Sequence, residues 1–266
     1  MTIFHAIILA VIEGITEFLP ISSTGHMALA SAFMGIHEQS FTKLFEVVIQ
    51  FGAILAVVAL YWKKFINLKD LHFYGKLLVA VIPALVFGAL FKKHIEALLG
   101  KPLVIAGVLV AGGVLLLFVD EWFRDGVTDT DEKISYRQSF FIGLFQVLAI
   151  LFPGLSRSAA TIVGGMQQKL SRARAAEFSF YLAVPTMLAA TAKSLLDVYK
   201  EEPAILGSGG STMLILGSVM AFFVALASIR FLISWLKRHG FRAFGWYRII
   251  VGAIIFVAVA TGHFGR

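Results

Sequence analysis

An apolar run that begins at Ile3 is interrupted by Glu13 and Glu17, then by Pro20, then by the cluster Ser22-Ser23-Thr24-Gly25-His26. Glu13 and Glu17 are four apart, so a helix puts both carboxylates on one face. Ionisable groups at membrane depth are costly and line a cavity inside the protein. The rest of the chain puts this run at membrane depth. Hydrophobic residues make up 59% and charged residues 15%, against about 25% charged in a soluble domain. The mean hydropathy is +0.86. The chain is predicted to be an all-α polytopic membrane protein, one membrane domain over 1–266. With no cysteine, disulfides and thiolate metal sites are excluded. The net charge of +7 matters through its placement in loops rather than as a sum, and no nucleic-acid partner is expected.

Residues 3–19 and 27–36 are apolar but divided at Pro20, and the second piece is too short to cross a hydrocarbon core of about 30 Å at about 1.5 Å per residue. They predict a re-entrant pair that enters the membrane and turns back. Spans are predicted at 44–62, 77–91 and 103–119, with Pro83 as a kink. The polar stretch 120–137, holding Asp120, Glu121, Asp125, Asp129, Asp131 and Glu132, is the mid-chain linker. Residues 139–152 and 159–167 then repeat the short pair around Pro153-Gly154, and spans follow at 178–196, 213–236 and 244–260.

Six spans and two short pairs therefore divide into halves, 1–125 and 134–266. Pro20 and Pro153 stand half a chain apart, as do Ser23 and Ser156, which leaves His26 opposite Ala159. Three spans per half is odd, so the halves have opposite orientation, and an inverted repeat with broken helices places its site near the midplane. Most lysines and arginines fall in the loops after Trp62, Val119, Gln167 and Leu236. The positive-inside rule puts those loops in the cytoplasm and both termini, with the site opening, on the outer side of the plasma membrane.

The second constellation is Pro153-Gly154-Leu155-Ser156-Arg157-Ser158-Ala159-Ala160-Thr161. A helix starting here offers free N–H groups and the positive end of its dipole to an anion. Arg157 adds a fork that matches phosphate oxygens, and Ser156, Ser158 and Thr161 add hydroxyls. In the first constellation, Glu13 and Glu17 suit a hard cation, Mg²⁺ or Ca²⁺. His26 suits acid, base or nucleophile. Ser23 suits a nucleophile if a base is in reach, and Ser22 and Thr24 suit phosphate binding. The attacking group is open among Ser23, His26 and a water activated by Glu17. His26, without a counterpart in the second half, is expected to be indispensable.

These residues resemble the bacitracin-resistance family of undecaprenyl-diphosphate phosphatases. The likeness covers essentially the whole chain. It rests on Glu13-x3-Glu17 running into Ser22-Ser23-Thr24-Gly25-His26, together with Pro153-Gly154-x-Ser156-Arg157-Ser158-x-x-Thr161. It implies an integral membrane enzyme of inverted repeats and re-entrant helices. The implied reaction converts a C55 isoprenoid diphosphate to the monophosphate, recycling the carrier for peptidoglycan, with a divalent cation required and bacitracin resistance when abundant. Expected partners are the lipid diphosphate and membrane lipids, with a homodimer left open. Glu17, Ser23, His26 and Arg157 are the catalytic expectation, and Ser22, Thr24, Ser156, Arg157, Ser158 and Thr161 the phosphate-binding one. Glu13 and Glu17 are the metal expectation. The competing class is a transporter or flippase of a prenyl phosphate or other small anion, since inverted repeats and midplane charges also belong to transporters. The type-2 phosphatidic-acid phosphatases are disfavoured, because no Pro-Ser-Gly-His motif is present.

The cysteine-free background makes the topology directly measurable. Single cysteines in 198–210 are expected to label from outside, and cysteines beside Lys64 or Arg238 from inside. Labelling of Lys64 and Glu201 positions from the same side contradicts six spans.

Overall fold

A computed structural model describes residues 1–123, 134–201 and 210–262. The described residues form helices only: α1 (Ile3–Thr16), α2 (Ser23–Phe33), α3 (Ser40–Leu60), the single turn α4 (Trp62–Phe65), α5 (Leu71–Leu90), α6 (Lys92–Leu99), α7 (Pro102–Trp122), α8 (Tyr136–Leu151), α9 (Arg157–Gln167), α10 (Arg172–Glu201), α11 (Gly210–Arg238) and α12 (Arg242–Ala260). Asp125, Asp129, Asp131 and Glu132 of the expected linker, and Glu202-Pro203, lie outside the described residues.

Both short pairs begin with the same device. Thr2 Oγ accepts the His5 N–H at the start of α1, and the His5 ring accepts the Thr2 N–H in return. Ser135 and Gln138 make the corresponding reciprocal cap on α8. Such caps satisfy donors that a helix start leaves free. α1 and α8 contain 14 and 16 residues, or roughly 21–24 Å, and neither crosses alone. α2 and α9 contain 11 residues each, about 16 Å.

Five helices among the described residues are long and apolar enough to cross a membrane: α3, α5, α7, α11 and α12. The expected span at 178–196 lies inside α10, which is 30 residues long but more polar. Ser179 and Thr191 are buried within the bundle, and Thr186 bonds to Gln146. Other boundaries move. α5 starts at Leu71, so Lys76 is helical rather than part of a loop, and the connection 92–101 contains α6.

Polarity is distributed inside out. Leu78, Leu85, Phe118, Phe223 and Ile250 are exposed, while Glu13, Gln146, Ser158 and Arg248 are fully buried. That is the pattern of a bundle solvated by lipid. α1 packs on α11 and α8 on α5, α3 lies against α11 and α10, and α7 lies along α12. The contacts are made by small residues. A Cβ on Gly14 would fall 2.9 Å from the Ala221 carbonyl, one on Gly143 2.3 Å from the Ala80 carbonyl, and one on Gly52 2.0 Å from the Ser218 carbonyl. Without a hydrophobic drive between helices in lipid, backbone approach of this kind supplies the packing.

Gly52→Ala is therefore expected to separate α3 from α11 and to lower the thermal midpoint in detergent, at a cost of about 1–3 kcal/mol. Gly107→Ala, where a Cβ would meet nothing within 4 Å, is expected to leave the midpoint unchanged. Equal midpoints for the two variants contradict the close contact.

Candidate active site

Each short pair turns at a strained serine. Ser22 (φ 72) precedes α2, and Ser156 (φ 74) precedes α9. Left-handed backbone is costly for a residue with a Cβ and persists where the surroundings enforce it. Both hydroxyls cap the helix that follows: Ser22 Oγ accepts the Gly25 N–H at 3.4 Å, and Ser156 Oγ accepts the Ala159 N–H at 3.2 Å. The caps thus pair Ser22, not Ser23, with Ser156. From proline to capping serine the second break is one residue longer than the first, and Gly154 (φ 98) takes up that residue. A Cβ there would lie 2.7 Å from the Ile105 carbonyl, so both sterics and φ require glycine. In this register Ser23 lies opposite Arg157, and His26 opposite Ala160.

The starts of α2 and α9 face one cavity of about 160 Å³, lined by Glu17, Ser22, Ser23, Thr24, Ser156 and Arg157 with Gln50, Gly154, Ala149 and Met187. Glu17 joins the two constellations. Its Oε2 accepts the Ser23 hydroxyl at 2.5 Å, and its Oε1 accepts Arg157 Nη2 at 3.0 Å. Both partners of this ion pair are largely buried. Arg157 Nη1 donates to the Ser179 carbonyl at 3.1 Å, and Nε makes no hydrogen bond.

The other expected residues lie around this cavity rather than in it. Ser158 Oγ donates to the Phe18 carbonyl at 2.5 Å, tying α9 to the break between α1 and α2. Thr161 Oγ1 donates to the Arg157 carbonyl at 2.8 Å, so the 2.6 Å bond between Thr161 and Ser179 is donated by the Ser179 hydroxyl. Ser158 and Thr161 are fully buried and act on Arg157 through its backbone and its neighbour. His26 does not line the cavity. Its Nδ1 lies 2.8 Å from the Ser22 carbonyl, which only accepts, so Nδ1 carries the proton. Nε2 therefore accepts from the Tyr247 hydroxyl at 2.9 Å, with the two rings parallel and 5.5 Å apart. His26 is thus engaged by the Ser22 carbonyl and by Tyr247 of α12, while Ser23 is engaged by Glu17.

Glu13 is fully buried one helical turn before Glu17, and its carboxylate oxygens meet no N–H or hydroxyl donor among the described residues. A buried carboxylate without such a donor is the group that a cation or a proton satisfies. No cluster of three His, Asp or Glu suited to a metal occurs among the described residues. Glu13 and Glu17 could supply two ligands, with the rest coming from substrate phosphate and water, as is usual for Mg²⁺.

Arg248 was missed by sequence reasoning. It is fully buried in α12. Its fork donates from Nη1 to the carbonyls of Pro20 (3.3 Å) and Leu155 (2.7 Å), from Nη2 to Gly154 (3.1 Å), and from Nε to Leu109 (3.3 Å). One guanidinium thus holds both chain breaks. Gly112 makes room for it, since a Cβ there would lie 2.2 Å from Arg248 Nη2. The signal was present in the sequence as an arginine inside the apolar span 244–260. Tyr247 and Ser179 carried no comparable signal.

Arg248→Lys keeps the charge but loses the fork, leaving buried carbonyls unmet at about 1–3 kcal/mol each. Turnover is expected to fall about tenfold or more, together with a lower thermal midpoint, since 1.4 kcal/mol is already a factor of ten. Unchanged turnover means that the breaks are held by something else.

Residues 6–254 match the family described as bacitracin resistance protein BacA. The chain is 56% identical over 256 residues to an undecaprenyl-diphosphatase of Flavobacterium johnsoniae, covering 96% of this chain and 95% of the relative. It is 54% identical over 255 residues to that of Flavobacterium psychrophilum, again covering 96% and 95%. With that of Porphyromonas gingivalis it shares 49% over 278 aligned positions, covering 98% of each. On this breadth of match, with both constellations meeting at one buried ion pair, the chain belongs to the bacitracin-resistance protein family.

Proposed function

We propose that this chain is an integral membrane phosphatase that hydrolyses undecaprenyl diphosphate to undecaprenyl phosphate and inorganic phosphate. The reaction recycles the lipid carrier for peptidoglycan synthesis and confers bacitracin resistance. The substrate is carried by the family and its undecaprenyl-diphosphatase relatives. The reaction is carried by one observation: Glu17 bonds the Ser23 hydroxyl with one oxygen and Arg157 with the other.

That arrangement supports Ser23 as nucleophile. Ser23 Oγ attacks the terminal phosphorus and passes its proton to Glu17. The bond to the bridging oxygen breaks, and the departing lipid monophosphate takes the proton from Glu17. Water then attacks the phosphoserine, Glu17 accepts its proton and returns it to Ser23 Oγ, and inorganic phosphate leaves. Arg157, with an unpartnered Nε–H, and the two facing helix starts stabilise charge on the phosphate oxygens. A divalent cation held by Glu13 and Glu17 would neutralise diphosphate charge. His26 fixes the first turn of α2 through Ser22 and Tyr247. The prenyl chain stays with the bilayer, reached past Ala149 and the exposed Leu148 and Phe152.

The halves 1–125 and 134–266 form an inverted repeat of six spans and two re-entrant pairs in the plasma membrane, with the cavity opening outward. Its support is the matched packing of α1 on α11 and α8 on α5, and the matched caps at Ser22 and Ser156.

Release of phosphate from undecaprenyl diphosphate by detergent-purified protein tests the reading, because no membrane remains to be crossed. Release is expected. No release in detergent, with movement of prenyl phosphate across proteoliposomes, supports the transporter instead. Arg157→Lys is expected to lose about 10²-fold or more in turnover. His26→Ala is expected to lose less than Ser23→Ala, measured side by side; the reverse order returns the chemistry to His26. Excess chelator is expected to stop turnover, and added Mg²⁺ or Ca²⁺ to restore it; full activity in chelator removes the cation.

A further inference from the structure

The polar side chains that line the active-site cavity come from the two chain breaks, with one exception. Glu17, Ser22, Ser23 and Thr24 belong to the first break and the start of α2, and Ser156 and Arg157 to the second and the start of α9. Gln50 comes from the middle of α3. Most of these groups are committed to one another. Glu17 holds Ser23 and Arg157, and Ser22 and Ser156 cap their helices. Gln50 is half-buried, and its amide has no hydrogen-bond partner among the described residues. Thr24 shares that condition, but it adjoins Ser23 in the chain, whereas Gln50 forms a separate wall.

An amide inside a membrane bundle ordinarily bonds to a neighbouring helix. One that faces a cavity without such a bond is kept for what enters the cavity. The helix that carries it is fixed. Gly52, two residues on, leaves no room for a Cβ against the Ser218 carbonyl of α11, and Thr191 of α10 donates to the Val47 carbonyl at 3.3 Å. A side chain on so firmly packed an element can place a reactant accurately. The cavity holds about 160 Å³ and a water takes about 30 Å³, so a phosphoryl group and water fit together.

The second half of the reaction needs such a group. Once Ser23 carries the phosphoryl group, its hydroxyl proton has left with the lipid monophosphate, and the Glu17 oxygen that had accepted it is free. A water that gives one hydrogen to Glu17 is still free to turn about that bond. A second acceptor fixes it with a lone pair toward phosphorus. The primary amide is suited to this, since its oxygen accepts from the water while its N–H groups donate to a phosphate oxygen.

We propose that Gln50 positions the water that hydrolyses the phosphoserine. The water oxygen forms the new bond to phosphorus, and the bond from phosphorus to Ser23 Oγ breaks. One water proton passes to Glu17 and then to Ser23 Oγ, the other leaves on the inorganic phosphate, and Gln50 neither gains nor loses a proton. The proposal rests on Ser23 as nucleophile.

Rapid quenching of detergent-purified protein with undecaprenyl diphosphate labelled in its terminal phosphate separates the two halves. Gln50→Leu is expected to form labelled Ser23 as fast as wild type, to release phosphate about 10²-fold more slowly, and so to accumulate label on Ser23 at an unchanged thermal midpoint. Gln50→Met, unbranched like glutamine, is expected to do the same, which separates the loss of the amide from a packing defect. Phosphoserine formation slowed by the same factor as turnover makes Gln50 a ligand of the substrate phosphate and overturns the assignment. Unchanged turnover in both variants also overturns it, as does a fall in both steps with a lower midpoint in both. Wild-type hydrolysis by Ser23→Ala overturns the nucleophile and this water with it. An inactive Ser23→Ala beside a Gln50→Leu that accumulates no label overturns the water alone.

Discussion

One buried guanidinium, that of Arg248, ties together the two breaks at the centre of this protein. Arg248 gives its N–H groups to the carbonyls of Pro20, Gly154, Leu155 and Leu109. The constraint behind this is general. A chain that breaks a helix at membrane depth frees carbonyls that water cannot reach, and each must find a donor. Proline at each break makes the problem unavoidable, since it ends the regular ladder. A planar, permanently charged fork is the side chain best suited to answer several carbonyls at once. Because two breaks share one fork, the start of α2 and the start of α9 are fixed relative to each other.

The hydrolytic centre depends on that registration. Ser23 and Glu17 come from the first pair and Arg157 from the second, and they meet across bonds of 2.5 and 3.0 Å. Burying such a charge pair is not a route to stability, since the desolvation penalty of several kcal/mol per ion offsets the attraction. Glu13, which meets no N–H or hydroxyl donor among the described residues, is costlier still. A bundle that retains these groups keeps them for chemistry on a charged substrate. Thr161 and Ser179 are bonded to the Arg157 backbone and side chain and to each other, and Ser158 to the Phe18 carbonyl.

The class of fold and most of the centre could be read from the sequence because lipid makes polarity conspicuous. Glu13, Glu17 and Arg157 stand out against apolar runs, and Pro20 and Pro153 announce the breaks. What could not be read was register. The extra residue at Gly154 changes which side chains oppose each other, and linear spacing placed Ser23 opposite Ser156. His26 follows the serine cluster in sequence, but α2 turns it toward Tyr247 on α12. Arg248 was legible as a lone arginine in a span, yet its role depends on three segments that only the fold brings together. α10 shows the converse: its polar residues lower its apparent claim to cross a membrane, and Ser179 among them bonds Arg157 while Thr191 bonds α3.

The most direct measurement is rapid quenching of the detergent-purified enzyme with undecaprenyl diphosphate labelled in its terminal phosphate, followed by peptide mapping. Label carried through a single turnover on the peptide containing Ser23, and absent from Ser23→Ala, is the result expected. Label on His26, or full turnover by Ser23→Ala without any labelled peptide, would contradict the central claim that Glu17 and Arg157 are assembled around Ser23.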